Sequence, residues 1–164
     1  MSYIRNDPIK DELKSNFLLA TKIAPNALGY THSFGECFHE DNSTDPGGGY
    51  TPTTTTASID VDNLNLVSGT TGAGATTYYW TAEIIPTAAY GNALLLMEYS
   101  LNGGTVVVEL LENDNIGAPV WKTLINNTNV VTTAARTSYR ILITITNSAG
   151  GVTPEIKNFV IITK

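Results

Sequence analysis

The stretch NALLLMEYSLNGGTVVVELLE, residues 92–112, constrains the fold more than any other part of this chain. Asn102 and Gly103 stand between two runs of apolar and β-branched residues. Asn-Gly accepts positive φ at both central positions of a type I′ turn, whose twist matches the strands it joins. A helix through this stretch would carry two consecutive glycines in its interior, each unfavourable by about 1 kcal/mol. The spacing therefore predicts two antiparallel strands, over 92–100 and 105–112.

Strand signals continue on both sides of that hairpin. TYYWTAEII (77–85) alternates, and Pro86 ends it. Trp80 shares a face with Tyr78, Ala82 and Ile84, which assigns it to the core; Tyr79 falls on the other face. VWKTLI (120–125) is another short strand. SYRILITITN (138–147) points Tyr139, Ile141, Ile143 and Ile145 inward, with Arg140, Thr144 and Thr146 outward. EIKNFVIITK, ASIDVDNLNLV (57–67) and a weaker NVVTT bring the total to about eight strands, the spacing of an antiparallel sandwich. The expected fold is all-β, an antiparallel β-sandwich of the jelly-roll or galactose-binding-like kind over residues 57–164.

Ahead of it the composition changes. Asp7 is placed as a helix N-cap with Pro8 at the first helical position, and Asp11 and Glu12 favour the first turn. Ile9, Leu13 and Phe17 then share one face of a short helix that requires a partner surface. Residues 1–40 are read as a helix-containing docking arm. Residues 41–56, DNSTDPGGGYTPTTTT, are read as an extended linker. An arm of this kind suits a homo-oligomer or attachment to another protein.

The net charge of −6 supplies no basic field for a phosphate backbone, so nucleic acid is not an expected partner. The longest apolar run, Ala93 to Met97, is too short to span a bilayer. A single cysteine rules out an internal disulfide, and the N-terminal MSYIRNDPIKDELK has no apolar secretory core.

Little in the chain carries catalytic chemistry. HSFGECFHED (32–41) gathers both histidines and the only cysteine. His32, Cys37 and His39 are ligand types that zinc accepts, but a structural zinc site takes four ligands and no second pair follows. The expectation is a turn rather than a metal site, unless a subunit interface completes the set. Asp60, Asp62 and Asn63, and likewise Glu112, Asp114 and Asn115, offer hard oxygen ligands that suit calcium. Ordinary turn chemistry explains both groups as well, so no cofactor is expected. Tyr79 and Tyr90 are the expected surface aromatics for a saccharide ring. No G-x-S-x-G elbow is present, and nothing pairs two carboxylates for glycosidase chemistry.

Ser100, Asn102, Gly103, Gly104 and Thr105, then Trp121, Arg140, Pro154 and Glu155, resemble the strand-and-turn pattern of β-sandwich modules in bacteriophage tail, baseplate and fibre proteins. Val106 stands where many such modules carry a tryptophan directly after Gly-Gly-Thr. The resemblance covers roughly residues 76–164. It implies a non-enzymatic structural component of a virion, trimeric by analogy, that contacts other virion proteins and host-surface glycan. The alternative expectation is a carbohydrate-binding module of a glycan-active protein. A small metal-dependent enzyme using His32 and His39 ranks last.

Overall fold

A computed structural model describes residues 27–30, 38–41, 59–60, 64–112 and 120–164. Eleven strands lie among them: β1 (Ala27–Tyr30), β2 (Phe38–Asp41), β3 (Ile59–Asp60), β4 (Asn65–Val67), β5 (Thr76–Thr81), β6 (Tyr90–Ser100), β7 (Thr105–Glu112), β8 (Val120–Leu124), β9 (Asn129–Arg136), β10 (Tyr139–Thr146) and β11 (Glu155–Thr163). They form two antiparallel sheets. The first runs β3-β4-β11-β6-β9, with β1 also paired to β11; the second runs β2-β5-β10-β7-β8. The all-β sandwich expected from alternation is therefore what the described chain forms. The expected N-terminal helix, with Ile9, Leu13 and Phe17, lies outside the described residues, as does the stretch read as a linker beyond Asp41.

The hairpin forms as the Asn-Gly pair dictates. Asn102 and Gly103 take φ of 51° and 82°, and the Gly104 N–H donates to Leu101 C=O at 2.8 Å. Gly104 is required for a different reason. A Cβ there would overlap the Thr146 carbonyl oxygen and stand 2.7 Å from Pro154 Cγ. Asn102 Nδ2 donates to Thr153 C=O at 3.0 Å and ties the turn to the approach of β11. The residues that carry the phage resemblance at this turn thus have a packing role in the hairpin. They speak for a fold, not for a setting.

A boundary at residue 57 leaves out two strands. β1 pairs with β11, from Ala27 opposite Ile162 to Tyr30 opposite Phe159. β2 pairs with β5, from Phe38 opposite Thr81 to Asp41 opposite Tyr78. Phe38 is fully buried, and its ring lies 5.4 Å from that of Phe159 in the other sheet. The stretch FHED reads as half a polar cluster; only its first residue is a strong strand former, so the sheet contact outweighs local preference.

The inter-sheet core takes Ile141, Ile143 and Ile145 from β10, as their alternation predicts, with Val108 and Leu110 from β7 and Phe159 and Ile161 from β11. On β5 the faces are inverted relative to the sequence reading. Tyr79, not Trp80, points into the inter-sheet core. Trp80 is also buried, but in a separate cluster with Leu111 and Leu142, against which Trp121 and Tyr78 pack. Leu142 is its direct neighbour on β10, and the Trp80 and Trp121 rings meet edge to face at 5.6 Å.

Candidate functional site: an open corner of the sandwich

The two tyrosines expected at the surface are interior. Tyr79 is fully buried and its hydroxyl donates to Val67 C=O on the opposite sheet. Tyr90 is 1% exposed and donates to Ser138 C=O at 3.0 Å. Burial is tolerable because each phenol finds a backbone acceptor. Tyr90 and Tyr139 meet edge to face at 5.5 Å across the sheets. Burial pushes the Tyr139 hydroxyl up to about 12, a hydrogen bond with Thr163 acting the other way. Tyr90 is pushed up as well, first by burial and then by the negative charge of Glu112 and by Tyr139, with Arg136 opposing.

Glu112, read as a loop residue whose oxygens would also suit calcium, closes β7 as a buried side chain instead. It accepts from Arg136 Nε at 3.2 Å and has 1% of its surface exposed. A carboxylate so placed needs a cationic partner, and the half-buried Arg136 supplies it. Its companions Asp114 and Asn115 lie outside the described residues, as do Asp62 and Asn63. Asp60 sits on β3 opposite Asn65. His32 and Cys37 also lie outside the described residues, and His39 takes a place on β2 opposite Trp80. Among the described residues no group of three or more His, Cys, Asp or Glu side chains is gathered to hold a metal.

A cleft that sequence reasoning misses opens where the sheets part. β9 pairs with β6 only along Tyr90–Leu94, the last partners being Leu94 and Asn129. From Leu95 onward, no strand among the described residues pairs with the side of β6 facing away from β11, and Leu95 makes an isolated parallel bridge to Asn126. The chain crosses from β8 to β9 at this point through a turn, Thr128 N–H to Ile125 C=O at 3.1 Å, with Asn127 at φ 58°. Asparagine adopts that conformation more readily than most residues. The turn aims Asn126 at the bare strand. The Met97 N–H donates to Asn126 Oδ1 at 2.7 Å, and Asn126 Nδ2 donates to Met97 C=O at 2.9 Å. Asn127 N–H reaches Leu95 C=O at 2.7 Å. A side-chain amide thus takes the place of a neighbouring peptide and blunts the edge.

The opening has a volume of about 540 Å³, open to solvent. β6 lines it with Leu95, Met97 and Tyr99, and β7 with Val106, Val107 and Val108. Thr123, Leu124, Ile125 and Asn126 supply the third wall. Leu95, Met97 and Tyr99 share the inward face by alternation. Yet Tyr99 is 39% exposed and Ile125 60% exposed. An aromatic ring on the inner face of a sandwich is accessible only because this corner is not closed. The cleft has an apolar floor, one accessible phenol and the side-chain amide of Asn126; Thr123, opposite Glu109 and next to the inward Leu124, alternates to the outer face of its sheet.

No family model matches the sequence, and no curated protein matches it. Among solved structures the chain is similar to a GH26-CBM35 β-(1,4)-mannanase of Podospora anserina at 12% identity and a TM-score of 0.33. That match covers 85% of this chain and 28% of the mannanase, so the chain spans little more than a quarter of its length. It is also similar to TmCBM61, solved in complex with β-1,4-galactotriose, at 10% identity and a TM-score of 0.34, covering 84% of this chain and 88% of that one. A family two carbohydrate esterase from Cellvibrio japonicus matches at 14% identity and a TM-score of 0.29, over 83% of this chain and 34% of that one. These are likenesses of strand arrangement only.

Proposed function

We propose that this protein is a non-catalytic saccharide-binding β-sandwich, and that the open corner beside β6 is where saccharide docks. The observation that carries this reading is Tyr99, an inward-facing aromatic left accessible above an apolar floor and accompanied by the Asn126 amide. A pyranose offers an apolar face of C–H groups and an equatorial ring of hydroxyls. A tyrosine ring suits the first, and short neutral donors and acceptors suit the second. Each end of the Asn126 amide uses one hydrogen-bonding position on Met97 and has a second position by its chemistry. The described lining residues include no carboxylate, histidine, cysteine, lysine or arginine, which supports binding in place of catalysis.

The test is titration of the full chain with an array of neutral oligosaccharides, followed by Tyr99→Ala and Ile125→Ala. Both positions are exposed, so the fold should tolerate the changes. Binding that Tyr99→Ala weakens tenfold or more supports the site. Binding that survives both substitutions unchanged places it elsewhere. A virion-borne role and a role beside a glycan-active enzyme predict the same cleft; mass spectrometry of purified virions separates them.

A further inference from the structure

We infer that the cleft is built for a neutral sugar residue bearing a methyl group, 6-deoxy or N-acetyl, which enters methyl first. The inference rests on the saccharide reading above and names the ligand class. Its first ground is the distribution of polarity. The deep part of the cleft is made by Leu95, Met97, Val106, Val108 and Leu124, none of which offers a hydrogen bond from its side chain. Among the described lining residues, polar side chains on this face come from Tyr99 and Asn126. A hydroxymethyl group entering first would leave its hydroxyl desolvated against that floor. Burying a hydroxyl without a partner is unfavourable by more than burying a methyl is favourable.

The second ground is charge. No lining residue of the cleft is charged among the described residues, and the chain carries a net charge of −6. A uronic or sialic carboxylate would be desolvated there with no cation to meet it, inside a field of its own sign. An ammonium sugar would find no carboxylate. The third ground is the amide of Asn126, fixed at the rim by two bonds to Met97 at 2.7 and 2.9 Å. Its geometry is set before any ligand arrives, so it can donate and accept beside the entering group without losing rotamer freedom. An N-acetyl group offers a complementary amide; a 6-deoxy sugar offers a ring hydroxyl at that place.

The experiment is saturation-transfer NMR and calorimetry on the full chain with four glycosides that share a methyl-free 2-hydroxyethyl aglycone: those of fucose, N-acetylglucosamine, galactose and glucuronic acid. The expected result is strongest saturation at the C6 or acetyl methyl protons, and binding of at least one methyl-bearing glycoside roughly fourfold or more tighter than galactoside. Glucuronide should be weakest. The two methyl-bearing arms identify which source of the methyl the cleft prefers. Ile125→Ser, at a 60% exposed position on the wall, should narrow the preference over galactoside. If galactoside binds as well as both methyl-bearing sugars, and Tyr99→Ala still abolishes binding, the methyl inference is overturned while the saccharide site stands. If no glycoside, including longer oligosaccharides, perturbs the cleft residues, both readings fall.

Discussion

Raising the pH should unfold this protein through two named tyrosines. Tyr139 is 2% exposed and its hydroxyl is held up to about 12, against an ordinary value of 10.0. The unfolded chain therefore releases that proton at lower pH than the folded one. The native state binds more protons above pH 10, so stability is fully present below that value and falls as pH rises through the folded pKa. At about 1.4 kcal/mol per unit, Tyr139 alone removes roughly 3 kcal/mol between about pH 10 and pH 12. Tyr90 acts in the same direction, because it is buried and faces Glu112. While both phenols stay neutral in the fold, stability should fall by about 2.7 kcal/mol per pH unit. A domain of this kind has roughly 5–15 kcal/mol in total, so unfolding within this window is expected.

The assay is urea denaturation at a series of pH values, with tyrosinate absorbance followed in parallel. In Tyr139→Phe the slope above pH 10 should drop by about 1.4 kcal/mol per unit. The same variant should lose roughly 1 kcal/mol at neutral pH through its bond with Thr163. Tyr90→Phe, which loses the bond to Ser138, should show the same halving. An unchanged slope in both variants would refute the reasoning. So would full tyrosinate absorbance in protein that is still folded.

Gly104→Ala should destabilise by about 1–3 kcal/mol, because its Cβ meets the Thr146 carbonyl and Pro154; the urea midpoint checks this. Phe38→Ala should remove about 3–5 kcal/mol, and a fragment starting at residue 57 should melt well below the full chain, since both lose the contact with Phe159. An unchanged melting temperature in either would show that β2 is not part of the cooperative unit. Asn126→Leu should leave the Met97 N–H and C=O without their side-chain partner, costing about 1–3 kcal/mol, with faster amide exchange at Met97 as the local readout.

How much was legible in the sequence differs from strand to strand. β7 and β10 could be read because both are dense in β-branched and aliphatic residues and their ends are marked, by Asn-Gly on one side and Ser-Ala-Gly-Gly on the other. The extent of β9 was harder: NVVTT marks its first half, but AAR continues it only because β6 lies alongside. β1 and β2 were not legible as strands. Each has four residues, and each is held by pairing with a partner far along the chain, β11 or β5. Local propensity has too little to say over four residues to oppose or support such a pairing.

The site was less legible than the fold, and Tyr79 and Tyr99 show why. Alternation establishes that a strand has two faces. It does not establish which face meets the second sheet. On β5 the larger ring, Trp80, invited the inner assignment, yet Leu111, Leu142 and Trp121 give it a cluster of its own outside the inter-sheet core. Where both faces carry apolar partners, parity alone cannot choose between them, and every tyrosine assigned from it goes to the wrong side together. Tyr99 poses the converse problem. Its parity with Leu95 and Met97 marks it as interior, and it is on the inner face. It is accessible because β9 leaves β6 at Leu94 and Asn126 covers only Met97 beyond it. That accessibility is a property of where β9, a strand much later in the chain, stops pairing. The adjacent asparagines at 126–127 announce a turn, but only the pairing register shows that the turn faces a bare edge.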